Sequence, residues 1–215
     1  MSSYTSSAFV DRRQVLLLLS VVIAVPTSFG DSLSGKDLLT ALRTGGYVIL
    51  MRHASSPRDP PDVTVANADN KQLERQLDEA GRVSARNMGE ALRHLEIPIG
   101  EVLSSPTYRA LETIKLAQIG PPITYPQLGD SGQSMMADKT GARGAWLKAK
   151  SAESPAPGRN TLIVTHFPNI MEAYPQDIAG LADGEAMILH PDGRGGTQVI
   201  TRVKIEEWSH LEGAR

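Results

Sequence analysis

Short apolar runs alternate along the chain with segments in which apolar residues recur every three or four positions. The short runs predict buried β-strands. The three-to-four spacing predicts amphipathic helices that bury one face. The predicted strands cover residues 47–51, 99–106, 123–125, 161–165, 186–190 and 197–205. The predicted helices begin near Ser34, Asp78 and Thr107, and one or two helical turns are expected at 144–150.

The order of these elements, in which strands and helices take turns, is typical of an α/β domain. The runs at 47–51 and 161–165 do not alternate apolar with polar residues, which favours central parallel strands covered by helices on both faces. Residues 197–205 do alternate, so the last strand is predicted at an edge of the sheet. We therefore expect an α/β fold with a mostly parallel central sheet.

The first thirty residues differ in pattern from the rest of the chain. Arg12 and Arg13 precede an apolar run at 15–25, and the small residues Ser28 and Gly30 follow it. The run is well below the roughly 20 residues that cross a bilayer as a helix. A basic start, an apolar centre and small residues at the end are typical of a secretory signal.

We therefore predict a signal peptide at residues 1–30 and a single domain at 31–215. A buried N-terminal helix is the alternative interpretation of the apolar run. The paired arginines leave both the Sec and the Tat route open. The expected location of the mature protein is the periplasm or the outside of the cell, with no stable membrane span after cleavage.

Composition excludes several kinds of site. The chain of 215 residues has no cysteine, so disulfides, thiolate nucleophiles and cysteine-ligated metals are excluded. Its formal net charge is −2, and its basic residues do not form a run, so nucleic acid is not an expected partner. Any site for an anion must therefore be built locally, because the overall charge does not attract one.

Candidate chemistry lies where three predicted strands end. Arg52 and His53 follow the strand at 47–51, Arg109 lies in the first turn of the helix after the strand at 99–106, and His166 follows the strand at 161–165. Because ligands of open α/β sheets bind outside the carboxyl ends of the strands, these side chains are expected to meet. Two imidazoles and two guanidiniums at one rim predict a receptor for a phosphate-like dianion.

Three stretches of the chain resemble one known family. These are RHA at 52–54, LSSPTYRALET at 103–113 and TLIVTHFPN at 161–169. In this order and spacing the chain resembles the histidine phosphatase superfamily, also called phosphoglycerate mutase-like. With ERQLDEAGR at 74–82 before a long helix, it looks most like the small SixA-type phosphohistidine phosphatases of branch 1. The resemblance implies a three-layer α/β/α sandwich.

The resemblance also implies roles for single residues. His53 would be the nucleophile, Arg52, Arg109 and His166 would hold the phosphoryl group, and Arg75 would be a further phosphate-contacting arginine. A neutral imidazole that attacks phosphorus forms a phosphohistidine, which water then opens. The positive groups would stabilise charge on the equatorial oxygens. Neither a metal nor a cofactor is expected.

The chain departs from the family pattern at two places. Ala54 replaces the usual glycine after the first histidine, and it is small enough for the same position. The glutamate that protonates an alkoxide leaving group has no counterpart in the segment 126–139. Asp130, Asp138 and Glu185 are the candidate substitutes. Loss of a general acid costs about 100- to 10,000-fold with alkoxide leaving groups, and phosphoramidates need the acid less.

The sequence thus predicts an exported, metal-independent phosphoric monoester hydrolase of the histidine acid phosphatase type. It would hydrolyse phosphate esters or phosphoramidates through a phosphohistidine intermediate, and its substrate would be a small phosphorylated molecule or a phosphoprotein. A non-catalytic phosphate-binding module of the envelope and a phosphoglycerate mutase-like phosphotransferase are the alternatives. The missing glutamate favours activated substrates, whereas export favours sugar or lipid phosphates, and the sequence leaves this choice open.

Overall fold

The computed structural model describes residues 33–57, 74–130 and 140–213. The predicted signal peptide and Asp138 lie outside these residues. Five α-helices are described: α1 (Gly35–Thr44), α2 (Glu79–His94), α3 (Tyr108–Ala117), α4 (Ala142–Ser151) and α5 (Phe167–Ala173). The six described strands are β1 (Val48–Arg52), β2 (Ile99–Ser104), β3 (Ile123–Thr124), β4 (Asn160–Thr165), β5 (Ala186–Pro191) and β6 (Thr197–Val203). Short 3₁₀ helices lie at Pro126–Leu128 and Glu207–His210.

The strands form one mixed sheet in the order β3-β2-β4-β1-β5-β6. The neighbours β3, β2, β4 and β1 are parallel, and β5 runs antiparallel to both β1 and β6. Five of the six strands therefore point the same way, which confirms the mostly parallel sheet. The two apolar runs without alternation, β1 and β4, lie side by side in the centre, and the alternating run, β6, is an edge strand as predicted.

Helices cover both faces of this sheet, which confirms the three-layer α/β/α fold. Successive residues of β1 point to opposite faces, so Ile49 and Met51 belong to one core and Val48 and Leu50 to the other. The first core lies under α1, α2 and α3, and the second lies under α4 and α5. Complete burial of a side chain of this size stabilises the fold by about 2 kcal/mol.

Local sequence signals explain where the helices begin and end. The helix α1 begins after Ser34 as predicted, and Gly45 follows its last residue with φ +84, a conformation that favours glycine. Asp78 caps α2, since its carboxylate accepts a hydrogen bond of 2.6 Å from the Gly81 backbone N–H. The helix α4 is longer than the one or two turns expected.

Gly81 has a second role, because it lets the start of α2 approach the loop that follows β1. A Cβ atom at Gly81 would lie 2.2 Å from the backbone oxygen of Ser55. The same contact is tightened by the Ser55 hydroxyl, which donates to Asp78 at 2.7 Å. The loop after β1 is thus fixed by α2, and this loop begins at His53. Among the described residues, no helix has the length and apolar character needed to cross a membrane.

Candidate active site

His53 lies at the carboxyl end of β1, between two neighbouring segments of chain. Its backbone N–H donates to the Thr165 carbonyl at 3.0 Å, and its own carbonyl accepts from the Gly184 N–H at 2.9 Å. Its side chain is 3% exposed. The end of β4 on one side and the turn before β5 on the other therefore hold the backbone of this residue in place.

The ring of His53 is oriented by the main chain. Its Nδ1 lies 2.7 Å from the Ala54 carbonyl oxygen, which can only accept, so Nδ1 carries the hydrogen. Ala54 is held in turn by its N–H, which donates to Thr113 Oγ1 at 3.1 Å. The lone pair of the neutral ring is therefore on Nε2, the nitrogen that faces Arg109.

The charge state of His53 follows from its surroundings. Burial lowers the pKa of His53 well below its ordinary value of 6.5, and the Arg109 guanidinium lowers it further. Arg52 and Arg75 act in the same direction, whereas the hydrogen bond to Ala54 opposes them. The ring is therefore neutral at neutral pH, as a nucleophile must be.

Arg109 joins the two predicted histidines. Its Nε donates to His53 Nε2 at 3.3 Å, and its Nη2 lies 3.4 Å from His166 Nδ1. Nη2 also forms an ion pair with Asp130. The arginine is fully buried in the first turn of α3, where a guanidinium requires such partners.

His166 follows β4 and packs against His53. The two ring centroids are 5.1 Å apart and the rings meet edge to face at 62°. On the side away from Arg109, His166 Nε2 lies 2.8 Å from Ser105 Oγ and 3.2 Å from Thr107 Oγ1. Burial lowers the pKa of His166 well below 6.5, and the charge of Arg109 adds to this effect. Both imidazoles are therefore neutral in the free protein.

The other two predicted arginines lie close to the same pair of rings. Arg52 forms an ion pair with Asp183, donates to the Leu181 carbonyl at 3.3 Å, and lies over the Phe167 ring at 5.6 Å from its centroid. Arg75 is 7% exposed, and its charge lowers the pKa of both His53 and His166. The structure thus brings together all five residues that the sequence predicted around a phosphoryl group.

Asp130, one of the candidate acids, lies inside this group. Besides its ion pair with Arg109, its Oδ2 is 4.0 Å from His166 Nδ1. The segment before it is held by Asn169 of α5, whose amide donates to the Gly129 carbonyl at 2.9 Å and to Thr165 Oγ1 at 3.0 Å. A carboxylate therefore lies beside the two imidazoles and is engaged with Arg109.

Glu185, the other candidate acid among the described residues, does not fit that role. Its Oε1 accepts from Arg202 Nε at 2.7 Å, and its Oε2 accepts from the Ala182 N–H at 2.8 Å. Burial alone would raise the pKa of Glu185, but these two interactions lower it below 4.5. A general acid must hold a proton near neutral pH, so Glu185 is corrected to a structural carboxylate that joins the 181–185 turn to β6.

Four further residues of the site were not predicted for their contacts there. Ser105 and Thr107 contact His166 through their hydroxyls. Asp183 pairs with Arg52, and the Asn169 amide holds the segment before Asp130. The sequence pattern predicts only that Thr107 lies near the start of α3. The position of Ser105 and Thr107 in the LSSPTYR stretch, directly after β2, is the sequence signal that could have placed them at the same rim as the strand-end residues.

Comparisons with known proteins find one family model that matches part of the chain and solved structures that share its fold. Residues 48–130, which include Arg52, His53, Arg75 and Arg109, match the model of the histidine phosphatase superfamily (branch 1). A comparison with curated protein sequences found no match.

Solved structures share the fold at low sequence identity. The protein histidine phosphatase SixA complexed with tungstate is 21% identical, with a TM-score of 0.54, and the match covers 75% of this chain and 98% of that one. A candidate phosphohistidine phosphatase SixA from Agrobacterium tumefaciens is 18% identical, with a TM-score of 0.51 and coverage of 74% and 97%. A phosphoserine phosphatase mutant from Entamoeba histolytica in complex with phosphoserine is 13% identical, with a TM-score of 0.51 and coverage of 74% and 98%.

The family match covers the strand-end histidine, the two arginines near it and the arginine of α3, and the fold around them is that of SixA. On these findings, residues 48–130 are similar to the histidine phosphatase superfamily (branch 1), and the chain shares its fold with SixA.

Proposed function

We propose that this protein is a metal-independent phosphatase that works through a phosphohistidine on His53. The observation that carries the proposal is the bridge between the two imidazoles: Arg109 contacts His53 Nε2 at 3.3 Å and His166 Nδ1 at 3.4 Å, in a buried cluster where both rings are neutral. A neutral nucleophile next to buried positive charge suits attack on an anionic phosphoryl group.

In the first step, the lone pair on His53 Nε2 forms a bond to phosphorus. The bond from phosphorus to the leaving oxygen or nitrogen breaks, and its electron pair stays with the leaving group, which takes up a proton. The N–H groups of Arg109, which touch His53 and Asp130 in the free protein, would turn to the phosphoryl oxygens. Arg52 and Arg75 would supply further positive charge to these oxygens as the transition state forms.

In the second step, a water oxygen bonds to phosphorus as the bond between phosphorus and Nε2 breaks. Phosphate leaves, the water gives up a proton to the medium, and the imidazole regains its lone pair. The hydrogen bond from Nδ1 to the Ala54 carbonyl stabilises the ring in both steps, because Nδ1 keeps its hydrogen throughout.

Asp130 is the proposed proton donor to poor leaving groups. Its ion pair with Arg109 opens when the phosphoryl group takes over the guanidinium. The released carboxylate then takes up a proton from the medium and passes it to the leaving oxygen. With phosphoramidates, such as phosphohistidine, or with phenolates the donor matters less, because these groups leave more readily. The proposed substrates are therefore phosphate esters or phosphoramidates carried by a small molecule or a phosphoprotein.

We also propose that residues 1–30 direct export, so that these substrates are met in the periplasm or outside the cell. The support is the basic, apolar and small-residue pattern of that segment. N-terminal sequencing of the exported protein tests this proposal: a mature chain that starts near Asp31 supports it, and an exported chain that still begins at Met1 refutes it.

Hydrolysis of para-nitrophenyl phosphate in the presence of EDTA tests the enzymatic proposal. The phenolate leaves without an acid, so the assay reports on the nucleophile alone. We expect turnover by the wild type that EDTA does not abolish, and no turnover above background by His53→Ala. The matched control is His94→Ala, since His94 is an exposed histidine at the end of α2.

Each outcome separates the proposed function from its alternatives. If the wild type binds phosphate but releases no more phenolate than His53→Ala, the chain is a phosphate-binding module. If phosphate is transferred to an acceptor alcohol without net hydrolysis, it is a phosphotransferase.

A further inference from the structure

Two buried hydroxyl groups lie on the side of His166 that faces away from Arg109. Ser105 Oγ is 2.8 Å and Thr107 Oγ1 is 3.2 Å from His166 Nε2, and both residues are fully buried. Ser105 is attached to the same part of the sheet, because its N–H donates to the Val164 carbonyl at 2.9 Å. The serine and the histidine are therefore fixed relative to each other by main-chain hydrogen bonds between β2 and β4.

The donors and acceptors around His166 select one tautomer. Arg109 Nη2 can only donate, and it lies 3.4 Å from His166 Nδ1, so Nδ1 must be the unprotonated nitrogen. The hydrogen of the neutral ring is then on Nε2 and is donated to Ser105 Oγ. The Ser105 hydroxyl is free to accept it because its own hydrogen has an acceptor in Thr107 Oγ1 at 3.1 Å.

A neutral ring of this tautomer has no hydrogen to offer on the side of the site. Nδ1 faces Arg109 from α3, with Asp130 at 4.0 Å, and His53 packs against the ring from the end of β1. The charges of Arg75 and Arg52 also act on it, and together with burial they lower the pKa of His166. A bound dianion would offset these positive charges, and it would accept a hydrogen bond from Nδ1 once that nitrogen is protonated.

We propose that Ser105 is a positioning residue that holds one proton on His166 Nε2, so that Nδ1 takes up a second proton from the medium when a phosphoryl dianion binds. This inference rests on the proposed function, because it concerns the same anion site. The balance is simple: the dianion and one proton enter together, the buffer loses that proton, and His166 becomes an imidazolium that donates from both nitrogens. Ser105 does not touch the substrate and acts through His166.

The first test reads the tautomer directly in protein with ¹⁵N-labelled histidine. Long-range ¹H–¹⁵N correlation spectra at neutral pH distinguish a protonated from an unprotonated ring nitrogen. In the free wild type we expect His166 to carry hydrogen on Nε2 only. Addition of tungstate, a tetrahedral dianion at neutral pH, should protonate Nδ1 as well. A free protein with hydrogen on Nδ1 only would overturn the proposal.

The second test measures the proton itself. Calorimetric titration with tungstate in two buffers of different ionisation enthalpy gives the number of protons taken up, and we expect about one per bound anion in the wild type. Ser105→Ala should lower this number and mix the tautomers, and Ser105→Thr should restore both. The matched control is Ser104→Ala, because Ser104 is an equally buried serine whose hydroxyl donates to the Ser105 carbonyl at 2.8 Å instead of contacting His166.

These readouts do not depend on turnover, so the two proposals fail separately. An active phosphatase in which tungstate binds with no proton uptake would refute the role of Ser105 and leave the proposed function intact. A protein that takes up the proton but does not hydrolyse para-nitrophenyl phosphate would refute the proposed function and leave a proton-coupled anion site. If Ser105→Ala does not fold, the wild-type spectra and titration still decide the question.

Discussion

The carboxyl ends of β1 and β4 present the same side chain in two different ways. A buried histidine directly follows each strand, and in both cases burial and then Arg109 are the main causes of a lowered pKa. The nitrogen that is held differs. His53 is held at Nδ1 by the carbonyl of the next residue, whereas His166 is held at Nε2 by the hydroxyls of Ser105 and Thr107.

This difference teaches which role each ring can have. A backbone carbonyl accepts hydrogen bonds and never donates, so it fixes His53 with its lone pair on Nε2 whatever binds in the site. A hydroxyl can accept or donate, so the hydrogen-bonding pattern around His166 can change when the charge in the site changes. The end of β1 therefore suits the proposed role of His53 as a nucleophile with a constant protonation state, and the end of β4 suits the proposed change in protonation of His166 when an anion binds.

The largest expected effect is the loss of activity on removal of a histidine, and formation of the covalent phosphoenzyme distinguishes the roles of His53 and His166. His53→Ala should lower kcat/KM by about 10⁴-fold or more and abolish the acid-labile phosphoenzyme, because the attacking atom is gone. His166→Ala should lower kcat/KM by about 10²- to 10³-fold, the usual cost of one electrostatic contact to the transition state, and still form the phosphoenzyme. Rapid quenching with ³²P-labelled substrate, followed by alkaline gel electrophoresis, measures the intermediate.

His94→Ala, at an exposed site, controls for the loss of an imidazole as such. A ³²P-labelled phosphoenzyme that forms in His53→Ala but not in His166→Ala would assign the nucleophile to His166 instead of His53.

The next effect concerns Arg109, which contacts both rings. Arg109→Lys keeps a positive charge at this position but loses the planar fork that reaches His53, His166 and Asp130 at once. We expect kcat/KM to fall by about 10²- to 10³-fold while the pKa of both histidines stays low. Steady-state kinetics and NMR titration of the imidazoles measure the two quantities.

Arg202→Lys is the matched control, since Arg202 also pairs with a buried carboxylate, Glu185, outside the cluster of imidazoles. Unchanged activity in Arg109→Lys would mean that charge alone matters and that the two strand ends are not joined through the guanidinium.

A smaller effect is expected from a change at Asp130, the carboxylate near His166. Asp130→Asn should lower kcat/KM by about 100-fold with alkyl phosphates and change it little with para-nitrophenyl phosphate, because only the alkoxide needs a proton. Glu185→Gln should show no such dependence on the leaving group, since its carboxylate is engaged by Arg202 and Ala182. Equal losses with both substrates in Asp130→Asn would assign Asp130 to the positioning of Arg109 instead of proton transfer.

Much of this arrangement could be predicted from the sequence. Parallel strands share one carboxyl end, so the residues after β1 and β4 had to lie at the same rim, and β1 and β4 pair directly with Arg52 opposite Thr165. Arg109 followed from the strand-to-helix order. The helix α5 was not predicted, because its seven residues make only about two turns, which are too few to show a period.

Side-chain partners that depend on strand register could not be predicted. Glu185 lies before β5 as expected, but its contact with Arg202 depends on how β5 pairs with β6. The contact of Ser105 with His166 likewise depends on the alignment of β2 with β4, in which Ser104 lies opposite Val164. A sequence shows which residues follow a strand, whereas the neighbour that each one meets across the sheet is set by pairing.

The smallest expected effect is a dependence of the free energy of unfolding on pH, to which His53 and His166 contribute equally. Each histidine has a folded pKa below its unfolded value of 6.5, so below that pH the unfolded chain binds a proton that the folded chain does not. The stability is therefore complete above about pH 7 and is lost as the pH falls from 6.5 towards the folded pKa. The loss is about 1.4 kcal/mol per pH unit for each ring.

Urea unfolding between about pH 7.5 and 5.5 measures this slope, in a window above that of Glu185, whose folded pKa is lowered from 4.5. Either His53→Gln or His166→Gln should remove about half of the slope, and the double variant should remove nearly all of it. Equal halves would mean that the two strand ends are alike in burial and charge and differ only in which nitrogen is held. A slope carried by one ring alone would mean that the other is already protonated in the folded protein, which would remove either the neutral nucleophile at His53 or the proton acceptor at His166.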